Sequence, residues 1–327
     1  MLPAALMRLA RRIYWLLLIT SVTAVAGADD SAPSLLAQGR VDDAITTLSG
    51  QISLSPNDPE AHNLLCRAYF TLGEWDRGIS NCERAVSLDP SNSRYHLWLG
   101  RVYGEKADKA NFMTAAGLAK KVHTEFETAV QLNPNNIDAR TDLAEFYIEA
   151  PGMVGGGREK AEAEAQTLAT LDPAKAHWVN ARIAEKKKDL VTAEKEYRAA
   201  IQASHGSAST WLHLAQFYKH IGRLDEMDDA VHHVSSAALD QADALVDAAH
   251  LLLDTNRNLP EANQLLRRYV TSAFTVEQAP AFKAHYLLGT VLEKQGDNQA
   301  AAREYRAALA LAKSFSAAQE ALNRVNR

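Results

Sequence analysis

Cysteine is scarce in this sequence, and chemistry that depends on clustered ligands is correspondingly absent. Only two cysteines occur in 327 residues, so a four-cysteine metal module is excluded. Eleven histidines are present, but there is no H-E-x-x-H motif. His213 and His220 would share a helical face, yet no acidic or thiol ligand completes a set. We therefore expect neither a metal site nor a bound cofactor.

An excess of positive charge is also lacking. The formal net charge is −5, and the basic stripe typical of nucleic-acid-binding proteins is missing. No Ser-His-Asp or Cys-His set can be argued from spacing, so we expect no enzyme.

Aromatic residues make up 7% of the chain and apolar residues 47%, and alanine is abundant. This composition suits closely packed helices, and the length favours a stacked array over one compact core.

The N-terminus has the pattern of an export signal. Three arginines between positions 8 and 12 precede the apolar run Ile13–Ala26, and small residues end at Ala28 before Asp29. The run is shorter than the roughly 20 residues that a membrane-spanning helix needs. We predict a cleaved signal peptide over residues 1–28 and a periplasmic or secreted mature chain. The alternative is an uncleaved N-terminus that anchors the protein in the inner membrane.

The segment Pro59–Asn92 predicts a helical hairpin. Leu65, Tyr69 and Leu72 fall at helical spacing before Gly73 interrupts the pattern. A second helical face follows and stops at an Asp-Pro pair. Its residues are Gly78, Cys82, Ala85 and Leu88.

This hairpin resembles the tetratricopeptide repeat, in which leucine, a small residue, tyrosine and glycine mark the first helix and its turn. Alanine, an aromatic residue and proline mark the second helix. The resemblance implies an all-α fold, a right-handed α-solenoid of about eight hairpins with a C-terminal capping helix. The predicted units are residues 34–58, 59–92, 93–136, 137–173, 174–207, 208–241, 242–281 and 282–315, and the cap is 316–327.

The third unit fits the pattern only if ten residues are inserted. We place the insertion in Gly104–Gly117, as a lengthening of both helices into a protruding hairpin. Four segments of this region are similar to segments that occur together in exported bacterial repeat proteins, a group that brings no specific function with it. They are Tyr103–Ala107, Leu118–Val122, Ala139–Tyr147 and Ala150–Gly157.

The glycine-rich run Gly152–Glu159 superficially matches a phosphate-binding loop. However, Arg158 stands where the lysine belongs and Glu159 where the hydroxyl belongs, and no strand precedes the run. A widened turn whose glycines permit positive φ is the favoured interpretation. The third interpretation of this run is a binding lip at the rim of the solenoid.

The resemblance also implies where a partner binds, because the first helix of each unit lines a concave groove in this repeat. Arg67, Arg101 and Arg182 would form a ladder suited to a carboxylate or an acidic peptide. With equal weight, the same arginines would pair with acidic residues of neighbouring units. The groove residues are Asn63, Arg67, Leu97, Arg101, Thr141, Glu145, Trp178, Arg182, Leu212, Gln216, Val246, His250 and Tyr286.

Cys66 and Cys82 lie on the two helices of one hairpin. In an exported protein they can form a disulfide, which would add about 3 kcal/mol of stability. Their positions leave open whether the Cα atoms lie within the roughly 7 Å that a disulfide requires. Two buried free thiols are the alternative.

Together these features predict a non-catalytic protein–protein interaction scaffold of the bacterial cell envelope, which binds a peptide or helix of a partner protein. Nucleic acid is not expected as a partner, and a membrane only through an uncleaved N-terminus. Two other functions stay open: a membrane-anchored component of an envelope or secretion assembly, and an accessory subunit of an enzyme.

Overall fold

The computed structural model describes residues 30–239, 241–272 and 275–327. These ranges contain seventeen α-helices and no strand. None of the helices in these ranges is both long enough and apolar enough to cross a membrane. The predicted signal peptide lies outside the described residues and stays a prediction.

Sixteen of the helices form eight successive hairpins, which stack into the α-solenoid that the sequence predicts. A last helix caps the array. The hairpins are α1–α2 (Ala32–Ala37, Val41–Leu54), α3–α4 (Pro59–Leu72, Trp75–Leu88), α5–α6 (Ser93–Lys109, Phe112–Leu132), α7–α8 (Ile137–Glu149, Arg158–Leu171), α9–α10 (Pro173–Lys186, Leu190–Ala203), α11–α12 (Ala208–His220, Leu224–Ser236), α13–α14 (Asp243–Asp254, Leu259–Val270) and α15–α16 (Ala281–Lys294, Asn298–Leu311), followed by α17 (Ser316–Val325).

Capping residues explain where several helices begin and end. The Asp58 carboxylate accepts a hydrogen bond from the Ala61 amide at 3.1 Å, just before α3. Asn136 does the same for Ala139 before α7. Helix α3 ends at Gly73, whose φ of 74° lies in the left-handed region that favours glycine.

A recurring histidine pair fixes the register of the repeats. His177 bonds Glu196 at 2.7 Å, and His285 bonds Glu304 at 2.7 Å, both with a spacing of 19 residues. In the third hairpin His96 bonds Glu125 at 2.6 Å with a spacing of 29. The ten extra residues lie between the two partners, and α5 and α6 are correspondingly long, with 17 and 21 residues.

Small and large residues interlock along the seams between helices. A Cβ added at Gly100 would lie 2.4 Å from the ring of Phe126. Tyr69, Tyr147 and Tyr218 are buried, as the repeat pattern requires. These side chains hold neighbouring helices together, and the core consists of three apolar clusters distributed along the array.

The two ends of the array touch each other. Residues of α1 and α2 share one apolar cluster with Phe282 of α15 and Ala308 of α16. The Lys313 amide donates a 2.7 Å hydrogen bond to Asp42. The first hairpin therefore packs against the last, and the concave face lies inside a closed turn of the solenoid.

Candidate functional site

The thirteen predicted groove residues differ widely in exposure. Five are buried: Asn63, Leu97, Thr141, Leu212 and Val246. Five are half-buried: Arg67, Arg101, Trp178, Arg182 and Tyr286. Three are exposed: Glu145, Gln216 and His250.

Four of these residues meet at one open pocket of about 280 Å³, which we call the central pocket. They come from three successive first helices, α7, α9 and α11, because the solenoid places equivalent positions side by side. Its wall is completed by Glu185, Tyr197, Phe217 and His220. The four predicted residues are Glu145, Trp178, Arg182 and Gln216.

Carboxylates surround the arginine of the central pocket. Arg182 lies 3.0 Å from Glu149, 3.2 Å from Glu185 and 3.6 Å from Glu145. Burial raises the pKa of the Glu145 carboxyl, and the positive charge of Arg182 counteracts that rise. The pocket therefore combines an aromatic wall with a surplus of negative charge.

A larger pocket of about 520 Å³ lies on the concave face towards the N-terminal hairpins, and we call it the inner pocket. Two predicted residues, Arg101 and Thr141, line it, together with Trp98, Lys175 and Glu277. Lys175 and Trp178 also line a small hydroxyl-rich pocket beside α11. Pockets thus follow one another along the concave face.

The inner pocket holds charged groups in a poorly hydrated setting, among them the ion pair of Arg101 with Asp142. Arg101 Nε donates a 2.6 Å hydrogen bond to Asp142. Burial raises the pKa of the Asp142 carboxyl, against the lowering effect of Arg101. Burial also lowers the pKa of the Lys283 ammonium. For Arg101 burial acts to lower the pKa, but nearby carboxylates, Asp142 foremost, more than offset this effect.

All three arginines of the predicted ladder have acidic partners within the protein. Arg101 and Arg182 pair with acidic residues of adjacent hairpins, which is the alternative to a ladder that binds a ligand. Arg67 instead pairs with Glu277, 210 residues away, in the connection between α14 and α15. Sequence reasoning missed Glu277, because it lies outside every repeat helix and no spacing rule connects it to α3.

A disulfide joins Cys66 and Cys82, whose Cα atoms are 5.3 Å apart. This separation lies within the range that a disulfide requires. The bond ties α3 to α4 within the second hairpin, which carries Arg67. It closes a loop with a sequence separation of 16 residues.

The glycine-rich run forms a turn that uses its own amides. Amides of residues 154–157 all donate to main-chain oxygens, among them Gly157 to Tyr147 at 2.9 Å. Gly155 has a φ of 110°, and a Cβ there would lie 2.6 Å from the His123 ring. Amides engaged in this way are not available to a phosphate, which favours the widened turn.

This turn and the lengthened third hairpin together build an apolar groove of about 360 Å³. Phe112 and Met153 border it and are exposed by 75% and 76%. The two departures from the repeat pattern therefore converge on one surface.

Metal ligands do not cluster in the described ranges: no group of three or more His, Cys, Asp or Glu there could hold a metal ion.

Comparisons with known proteins agree with this architecture. Two family models, both described as tetratricopeptide repeat, match residues 35–102 and 239–318. A comparison with curated protein sequences finds no match.

Two solved structures are similar to this chain at low sequence identity. Yeast Tom70 superposes with a TM-score of 0.53 at 14% identity, over 88% of this chain and 58% of Tom70. TTC0263, a thermophilic TPR protein of Thermus thermophilus, has a TM-score of 0.48 at 21% identity, over 57% of this chain and 94% of its own. Family matches at both ends, together with a helical array between them, lead to one conclusion: the chain is a tetratricopeptide repeat protein, with the fold of a protein–protein interaction scaffold.

Proposed function

We propose that this protein is a non-catalytic scaffold of the bacterial cell envelope that holds a segment of a partner protein along its concave face. The observation that carries the proposal is the central pocket, where Glu145, Trp178, Arg182 and Gln216 converge from three successive helices. A ligand that crosses several repeats along the concave face would contact their equivalent positions in turn.

The chemistry of the central pocket suits a peptide. Trp178 is half-buried and offers apolar area to a side chain, and Gln216 offers both a donor and an acceptor to a peptide backbone. Because the pocket is open, a segment can enter without the hairpins separating.

Peptide binding is tested by selecting short random peptides, displayed on phage, on the mature chain. We expect the selected peptides to lose affinity at least about tenfold for the variant Trp178→Ala, Gln216→Ala. The matched control is Lys195→Ala, a residue of α10 outside the central pocket, which should leave affinity unchanged. Failure to select any peptide, or equal loss in the control, would contradict the proposal.

The envelope location rests on the export signal and has its own test. N-terminal sequencing of the protein recovered from the periplasm should begin at Asp29. An intact N-terminus in the membrane fraction would instead support the anchored assembly component.

A further inference from the structure

The connection between α14 and α15 enters the concave face. Its residues Val276, Glu277 and Gln278 line the inner pocket together with Arg101 and Thr141. Glu277 is only 7% exposed although the described residues around it, 275–280, form no helix. Part of the predicted groove is therefore filled by the chain itself.

Glu277 pairs with Arg67, which lies against Trp98 together with Arg101. Arg67 Nε donates a hydrogen bond to Glu277 Oε1 at 2.8 Å, and Arg67 Nη2 donates one to Oε2, so the ion pair is bidentate. The guanidinium carbons of Arg67 and Arg101 each lie 5.1 Å from the centre of the Trp98 ring. This stacking holds both cations in place, which favours a planar anion beside them.

The pairing is sheltered from water, since the Arg67 side chain is 17% exposed. A buried charge that loses its partner costs far more than one that exchanges it. Arg67 therefore needs a carboxylate at all times, either from residue 277 or from a ligand. A ligand without a carboxylate would leave the arginine unpaired.

One anchor of the connection to its own hairpin is a hydroxyl group, and the packing of Val276 and Ala279 in the neighbouring apolar cluster is another. Tyr269 Oη accepts a hydrogen bond from the Val276 amide at 2.9 Å and donates one to the Ala279 carbonyl at 2.6 Å. Between these two points Glu277 reaches across to α3. If another carboxylate replaced Glu277 at Arg67, the connection would lose this ion pair with α3.

We propose that residues 275–280 act as an intramolecular ligand of the concave face, and that an acidic residue of the partner segment competes with Glu277 for Arg67. This inference rests on the proposed function and specifies its ligand as a segment that carries a carboxylate. A tethered competitor has an effective concentration on the order of millimolar. The wild-type chain should therefore bind such a segment more weakly than a chain without the competitor.

The experiment selects short random peptides on the Glu277→Gln variant and measures their affinity for a matched set of chains. The selected peptides should be enriched in Asp or Glu and should bind Glu277→Gln at least about tenfold more tightly than wild type. The variant Arg67→Gln, Glu277→Gln should lose this binding. Gln278→Ala, which changes the same pocket but keeps the ion pair, should behave like wild type.

A second measurement needs no substitution in the connection. When one of the selected acidic peptides saturates the wild-type chain, hydrogen exchange at the amides of residues 276–279 should become faster. Unchanged or slower exchange would overturn the inference even if Glu277→Gln fails to fold.

The outcomes separate the two proposals. Peptides that bind wild type, Glu277→Gln and the double variant equally would overturn the competition and leave the scaffold function standing. If neither chain selects any peptide, both proposals fall together.

Discussion

At the scale of single residues, Gly100 shows how little space the seams allow. Replacing Gly100 by Ala should lower the free energy of unfolding by about 1–3 kcal/mol, because the new Cβ would lie 2.4 Å from the Phe126 ring. Urea denaturation measures the change.

The matched control for this substitution lies four residues further along the same helix. Nothing stands within 4 Å of a Cβ at Gly104, so Gly104→Ala should stabilise the chain by up to about 1 kcal/mol through helix propensity. If both variants lost equal stability, the packing of Phe126 on Gly100 would be wrong.

His96 makes stability depend on pH. Its hydrogen bond with Glu125 raises the pKa of the imidazole, opposed by burial and supported by the Pro90 carbonyl. A raised folded-state pKa means that the stabilisation is complete below the unfolded pKa of about 6.5 and is lost as pH rises through the folded value. His96→Gln should therefore lose on the order of 1 kcal/mol relative to wild type at mildly acid pH, and less at alkaline pH.

The control for His96 is Glu125→Gln, which removes the main cause of the raised pKa. In that background His96→Gln should cost the same at both pH values. Denaturation curves at two pH values provide the comparison. A cost that grows with pH would contradict the assignment.

At the scale of elements, the disulfide stabilises the second hairpin. Reduction of Cys66–Cys82 should lower the free energy of unfolding by about 3 kcal/mol, because the closed loop restricts the unfolded chain. Urea denaturation with and without reductant measures it, after mass spectrometry has verified the oxidation state.

A variant without the bond supplies the control for reduction. Cys66→Ala, Cys82→Ala should be insensitive to reductant. Equal stability of the oxidised and reduced wild-type chain would show that the bond is absent in solution.

At the scale of the whole molecule, contact between the two ends distinguishes a closed turn from an open array. A Cβ at Gly39 would lie 2.5 Å from the Ala281 amide nitrogen in the last hairpin. Gly39 also has a φ of 72°. Gly39→Ala should therefore cost the left-handed penalty of about 1–2 kcal/mol plus about 1–3 kcal/mol for the overlap.

Gly296→Ala isolates the backbone part of that cost. Gly296 has a φ of 87°, and nothing lies within 4 Å of a Cβ there. The difference between the two variants in urea denaturation reports the contact of the ends. Equal costs would mean that the first and last hairpins separate in solution.

The sequence by itself determined the repeat, because the constraints that define a helical hairpin are local. Comparison with the repeat pattern predicted the first helices that carry Tyr69, Tyr147 and Tyr218, and their side chains are buried. The same comparison predicted the ten-residue insertion, because the second helix of the third unit matches the pattern only if ten residues are added.

Only the tertiary structure decided which parts of the concave face are open. Five predicted groove residues are buried, and three of them, Leu97, Leu212 and Val246, lie in apolar clusters that neighbouring hairpins build together. Glu277 pairs with Arg67 across 210 residues, a contact set by the accumulated rotation of the whole array. Local patterns fix each hairpin, whereas small rotations summed over eight hairpins decide what the ends and the inner wall can touch.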